Sequence, residues 1–85
     1  MPAKEVRLPL SVQKRIGKLP KQIQKRFYEA LSRLKEDPLL GIRLRGDLAG
    51  YCKLRLGDYR IVYRFRTADK VIEILAIEHR QGVYK

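Results

Sequence analysis

The sequence predicts an α+β fold, with two N-terminal helices packed on one face of a small, mainly antiparallel sheet in the order β-α-α-β-β-β. Three observations support this. Residues from Tyr51 to Phe65 alternate between polar and apolar types on either side of Gly57-Asp58, the pattern of two half-buried strands joined by a tight turn. Apolar residues recur every three or four positions between Val12 and Leu34, and Pro20 divides that run into two amphipathic helices. Val71 to Ile77 is apolar on both faces and has the length of a strand.

The elements follow in chain order. Glu5 to Pro9 places Val6 and Leu8 on one face and Arg7 on the other, a first strand that Pro9 confines to an edge or an end. Ser11 is a suitable N-cap for a short helix in which Val12, Ile16 and Leu19 share a stripe, ending near Gly17 to Pro20. Pro20 then fits the first turn of a second helix, with Ile23, Phe27, Ala30, Leu31 and Leu34 as its apolar stripe and Asp37-Pro38 as its stop. Leu39 to Gly50 reads as a loop, the hairpin follows, and Thr67 to Asp69 turns the chain into the last strand. The 85 residues contain no repeat, Gly/Ser linker or low-complexity tract, so residues 1–85 are expected to form one domain. A chain of this length buries roughly 60–65% of the surface its unfolded form exposes, enough for one modest core.

The hairpin places its charge on one face. Side chains two apart on a strand point the same way, so Cys52, Leu54 and Leu56 join Tyr59, Ile61, Tyr63 and Phe65 toward a core. Tyr51, Lys53 and Arg55 then share the opposite face with Arg60, Val62, Arg64 and Arg66. Each exposed like-charge pair on adjacent strands costs a few tenths to ~1 kcal/mol, which favours a surface that meets an anion over one that is merely solvated. Composition agrees, with 20 Lys and Arg against 9 Asp and Glu, a formal net charge of +11 and a pI near 10.2. That balance favours nucleic acid as a partner. The basic residues are spread evenly along the chain, so the charge belongs to the folded body. One cysteine, Cys52, permits neither an internal disulfide nor a cysteine-based metal cluster and suits a reducing cytoplasm. No apolar run approaches the ~20 residues of a membrane span, so a cytoplasmic location is expected.

Other candidate residues lie outside the hairpin. Arg43 and Arg45 either grip phosphates beside it or are ordinary exposed loop charges. Lys14, Lys18, Lys21 and Lys25 form a helical ridge that reads first as a solvated face. The helices cover one side of the sheet, so Ile72, Ile74 and Ala76, taken as facing away from them, are candidates for contact with a partner protein. By the same alternation Arg80 falls on the cationic face, whereas His79, the single histidine, falls with Leu75 and Ile77 toward the helices and reads as structural. Gly82 lets the chain bend so that Tyr84 reaches the band or packs as a terminal aromatic.

Leu44-Arg-Gly46, the run Gly50-Tyr-Cys-Lys-Leu-Arg-Leu-Gly-Asp-Tyr-Arg-Ile-Val-Tyr63, His79-Arg80 and Val83-Tyr84 together resemble the RelE branch of the RelE/ParE superfamily of toxins from toxin–antitoxin pairs. The Gly-Asp-Tyr-Arg turn is fairly specific, and the resemblance spans nearly the whole chain. It implies a small fold like that of microbial ribonucleases, mRNA cleavage in the ribosomal decoding site, and no metal or other cofactor. It also implies a cognate antitoxin that wraps and blocks the toxin, with binding of operator DNA by the toxin–antitoxin complex as a further expectation. Carried over position by position, the family's catalytic residues match Lys53, Arg55, Arg60, Arg80 and Tyr84; apart from the resemblance, Arg43 and Arg45 in the loop and Arg64 on the band are expected as phosphate contacts together with Lys53. Lysine, unlike arginine, releases its proton when crowded by like charge, so Lys53 is assigned the base, with Tyr84 as the other candidate. Three other readings stay open at this point: a ParE-like toxin that binds DNA gyrase and cuts nothing, a non-catalytic RNA-binding module, and an inactive relative kept for its antitoxin contacts.

Overall fold

Proline punctuates the first third of the chain. In the computed structural model, which describes residues 2–79, β1 (Glu5–Arg7) runs into Pro9, and α1 (Leu10–Gly17) begins immediately after it. Pro9 and Pro20 occupy the N-cap positions of α1 and of α2 (Lys21–Glu36), and neither cap makes a side-chain hydrogen bond. Ser11 therefore sits inside the first turn, beyond the cap position expected for it. Gln13 Nε2 donates to the carbonyl of Leu8 at 2.8 Å, tying α1 to the segment before it, and Gln24 Nε2 donates to the carbonyl of Leu19 at 2.9 Å across the junction.

Beyond α2 the chain builds a sheet. β2 (Ile42–Arg43), β3 (Cys52–Leu56), β4 (Tyr59–Arg66) and β5 (Val71–His79) join β1 in the spatial order β1-β5-β4-β3-β2. β1 pairs with β5 in parallel, and the remaining neighbours are antiparallel. Both helices lie on one face of the five strands. Val12 and Ile16 from α1, and Phe27, Ala30 and Leu34 from α2, close the core over Cys52, Leu56, Ile61, Tyr63, Ile72, Ile74 and Ile77. The expected α+β arrangement is therefore present, with one addition. The segment from Leu39 to Gly50, expected to be loop throughout, contains the two-residue β2 and a 3₁₀ turn at Gly46–Leu48.

Tyr63 explains why a strand as short as β2 holds its place. Its buried hydroxyl donates to the carbonyl of Pro38 at 2.9 Å and accepts the backbone N–H of Gly41 at 2.9 Å, pinning the chain on its way out of α2. Burial pushes this phenol up to about 12, because the phenolate would lose its hydration.

The last strand departs from simple alternation. Val62 pairs with Ala76 but Tyr63 pairs with Ile74, which leaves Leu75 unpaired as a β-bulge. One inserted residue inverts the facing of everything on one side of it. Ile72 and Ile74 consequently point into the helix-covered core and are 0% and 1% exposed, whereas Leu75 is 48% exposed. The expectation that Ile72 and Ile74 face a partner is corrected by that burial. Ala76, paired with Val62, lies on the face away from the helices.

Candidate nucleic-acid interface

The cationic band begins with strand register. Lys53 stands across from Val62, and Arg55 across from Arg60, so Lys53, Arg55 and Arg60 share the sheet face that the helices leave uncovered. Lys53 and Arg60 are diagonal neighbours on that face, a separation of roughly 7–8 Å between backbones and within reach of one phosphodiester for side chains of this length. Arg64 lies farther along β4 on the same face, and its guanidinium stands 5.5 Å from the centroid of the Tyr51 ring. At that distance the face of the ring attracts the cation.

The band is less naked than the hairpin sequence suggests. Arg60 Nε donates to Glu78 Oε1 at 2.9 Å, and Arg64 Nε donates to Glu73 Oε1 at 3.1 Å. Arg66 is held at 2.7 Å by Asp69 and at 3.4 Å by Glu73. The hydrogen bond from Arg64, then the neighbouring arginine charges, hold the Glu73 carboxyl below its usual range, and Arg66 does the same for Asp69. Carboxylates on β5 and its preceding turn thus offset the repulsion expected along β4. Lys53 and Arg55 take part in no ion pair among the described residues. Sequence reasoning missed Glu73 and Glu78. Counting back from the turn at Thr67 to Lys70 pairs Arg64 with Glu73, but Glu78 meets Arg60 only because of the bulge at Leu75.

The other predicted positions divide. Arg43 stands across from Cys52, whose side chain is buried in the core, so β2 places Arg43 on the opposite face from Lys53. Arg43 therefore lies beside the hairpin but off the face that carries Lys53. Arg45 precedes the 3₁₀ turn as an exposed residue. Ring packing fixes His79, which meets Tyr59 edge-on with centroids 4.7 Å apart, on the side of the sheet away from Lys53. Arg80 and Tyr84 lie outside the described residues.

Comparison with known proteins adds an independent line. Residues 6–84 match the family model described as the ParE toxin of the type II toxin–antitoxin system. The chain is 34% identical over 82 residues to Toxin RelG of Mycobacterium tuberculosis, covering 94% of each protein. It superposes with a TM-score of 0.83 on a chain of the toxin–antitoxin complex RelBE2 from the same organism, at 34% identity, covering 94% of this chain and 100% of that one. A chain of the archaeal RelE–RelB complex from Pyrococcus horikoshii gives a TM-score of 0.76 at 32% identity, with 94% and 97% covered.

Proposed function

This chain belongs to the RelE/ParE superfamily of type II toxin–antitoxin toxins, and from that premise we propose that it is an mRNA endoribonuclease that acts on the ribosome and needs no metal. The observation that carries this reading is the placement of Lys53 diagonally opposite Arg60 on the uncovered sheet face. Two cations of different chemistry, one able to release a proton and one permanently charged, then flank the same phosphodiester.

In the proposed reaction the ribose 2′-hydroxyl attacks the adjacent phosphorus. Lys53 accepts the hydroxyl proton at Nζ as the 2′-O–P bond forms. The P–O5′ bond breaks, leaving a 2′,3′-cyclic phosphate; the departing 5′-oxygen takes a proton from water to become a hydroxyl, and Lys53 returns its own proton to solvent, so the net proton count is unchanged. Arg60, joined by Arg80, stabilises the charge that accumulates on the phosphorane oxygens, a role in which a preorganised donor contributes roughly 3–4 kcal/mol. Tyr84 is the alternative proton acceptor. Glu78 gives Arg60 its orientation: a guanidinium held at Nε by a carboxylate keeps its two terminal nitrogens free to fork toward phosphate. Alignment of the substrate by the ribosome supplies a large further part of the rate.

The partner reading follows the same relatives. Of the two solved structures named with them, one is a toxin–antitoxin complex and the other a RelE–RelB complex, and a cognate antitoxin for this chain, a complex able to bind operator DNA, and a cytoplasmic site of action belong to this proposal. Ala76 and the exposed Leu75 are the apolar side chains that β5 leaves to such a partner.

The deciding experiment incubates the protein with translating ribosomes in a reconstituted system and maps mRNA ends. Cleavage within ribosome-bound codons, with 2′,3′-cyclic phosphate termini, is expected from the parent chain. Lys53→Ala and Arg80→Ala should each lower it by about a hundredfold or more while leaving RNA binding largely in place. Intact mRNA, or variants that cut as fast as the parent, would refute the nuclease reading; the gyrase-directed alternative leaves mRNA whole in this assay.

A further inference from the structure

Arg55 leaves the band at its outer end. β2 covers only Cys52 and Lys53, so β3 beyond that point is an open edge. Arg60, directly opposite Arg55, is already held by Glu78. Like charges facing across a strand pair repel, and Arg55 is turned toward the hairpin tip, where its Nε lies 3.4 Å from the carbonyl of Gly57. There it lines an open depression of about 500 Å³ with Arg26, Glu29 and Arg33 of α2 and with Gly57.

Helical geometry gathers the α2 side of this depression. Positions 26, 29 and 33 are spaced by three and four residues and so occupy one exposed face of the helix. Arg26 reaches over the turn, since a Cβ built on Gly57 would stand 3.4 Å from one of its guanidinium nitrogens. Three arginines from two elements thus line one open hollow, with Glu29 as the single acidic residue among the lining residues. None of the three arginines is in an ion pair among the described residues. The contrast with β4 is direct, because there three arginines are matched by Glu73, Glu78 and Asp69. A concentration of unmatched arginine forks is suited to phosphate oxygens, which accept two parallel N–H bonds from each fork.

We propose that Arg26, Arg33 and Arg55 form a second phosphate-binding site, which takes the backbone of single-stranded RNA where it runs off the Lys53 band and over the hairpin tip. This rests on the RNA reading of the band. RNA is favoured over an acidic protein because the site continues the band: Arg55 follows Lys53 by two residues on the same strand face, a step of roughly 6.6–6.8 Å, comparable to the distance between successive phosphates in an extended strand. One chain can therefore occupy both places, in the manner of cationic grooves that track a single strand.

The test measures binding alone. A fluorescent 2′-O-methyl RNA oligonucleotide, which cannot be cleaved through its 2′ position, is titrated with the full chain across a range of salt concentrations. Arg26→Ala/Arg33→Ala should weaken binding by about tenfold at low salt and reduce the steepness of log K against log salt by about 0.7 for each phosphate that the variant no longer neutralises. Arg26→Lys/Arg33→Lys, which keeps the charge, should restore most of the slope. An unchanged affinity and slope in the alanine variant overturns the second site while leaving the cleavage proposal to its own assay. A parent chain that binds polyglutamate through these arginines but not the RNA overturns it as well.

Discussion

The backbone N–H of Gly41 and the hydroxyl of Tyr63 meet at 2.9 Å, joining the segment that follows α2 to the central strand β4. A Cβ on Gly41 would lie 2.6 Å from that hydroxyl and 2.7 Å from the carbonyl oxygen of Lys53. Backbone that close cannot be cleared by rotating a side chain. Gly41→Ala is therefore expected to displace β2 and to move Lys53 along with it. Tyr63→Phe keeps the ring but strands the Gly41 N–H and removes the donor to Pro38, at an expected cost of roughly 1–3 kcal/mol in a urea titration. The ionisation of Tyr63 adds a signature. The folded phenol is raised from 10.0 to about 12, so the unfolded chain loses this proton first as pH climbs. The contribution of this group is full below about pH 10 and is lost as pH rises toward 12. In the Phe variant the part of that alkaline loss due to this group should vanish.

The bulge at Leu75 separates the fates of two adjacent residues. Ile74, 1% exposed, should cost about 2–5 kcal/mol on truncation to alanine, as buried aliphatic side chains do. Leu75, 48% exposed, should cost less than about 1 kcal/mol. Equal losses in thermal or chemical unfolding would mean that β5 alternates without interruption.

Acid should reveal the carboxylates on the band. Glu73 and Asp69 are held below their ordinary values by Arg64 and Arg66, so the unfolded state binds protons before the folded state does. Their contribution is present above the usual carboxylate range and is lost as pH falls through the depressed values. Glu73→Gln should flatten the decline in melting temperature below about pH 4.5. A variant whose melting profile parallels the parent's down to about pH 2 would show that the Arg64–Glu73 pair carries no pH-linked stability.

Glu78 sets how much charge Arg60 offers. With Glu78→Gln the 2.9 Å contact loses its ionic partner, and affinity for uncleavable RNA should rise by ~2- to 5-fold, with a steeper salt dependence. The same change should slow cleavage, since the amide oxygen holds Arg60 Nε only by a weaker, neutral hydrogen bond. Tighter binding together with faster cutting would mean that Glu78 acts only as a competitor for the arginine.

The amino-acid sequence by itself determined the classes and order of the main elements, and it determined that Lys53, Arg55 and Arg60 share one face. Those features rest on periodicities of two and of three to four residues, which local backbone geometry imposes without reference to distant contacts. The pairing of β1 in parallel with β5, the capture of β2 by Tyr63 and the choice of partner for each arginine depend on residues far apart in the chain. A single inserted residue decided more than any motif. By inverting β5 at Leu75 it buried Ile72 and Ile74 in the core and set Glu78 opposite Arg60. Only tertiary structure could place that bulge, because the chain there is apolar on both faces and its composition fits either phase equally well. The same holds for Arg26 and Arg33, ordinary surface arginines on a helix until the packing of α2 against the hairpin sets them beside Arg55.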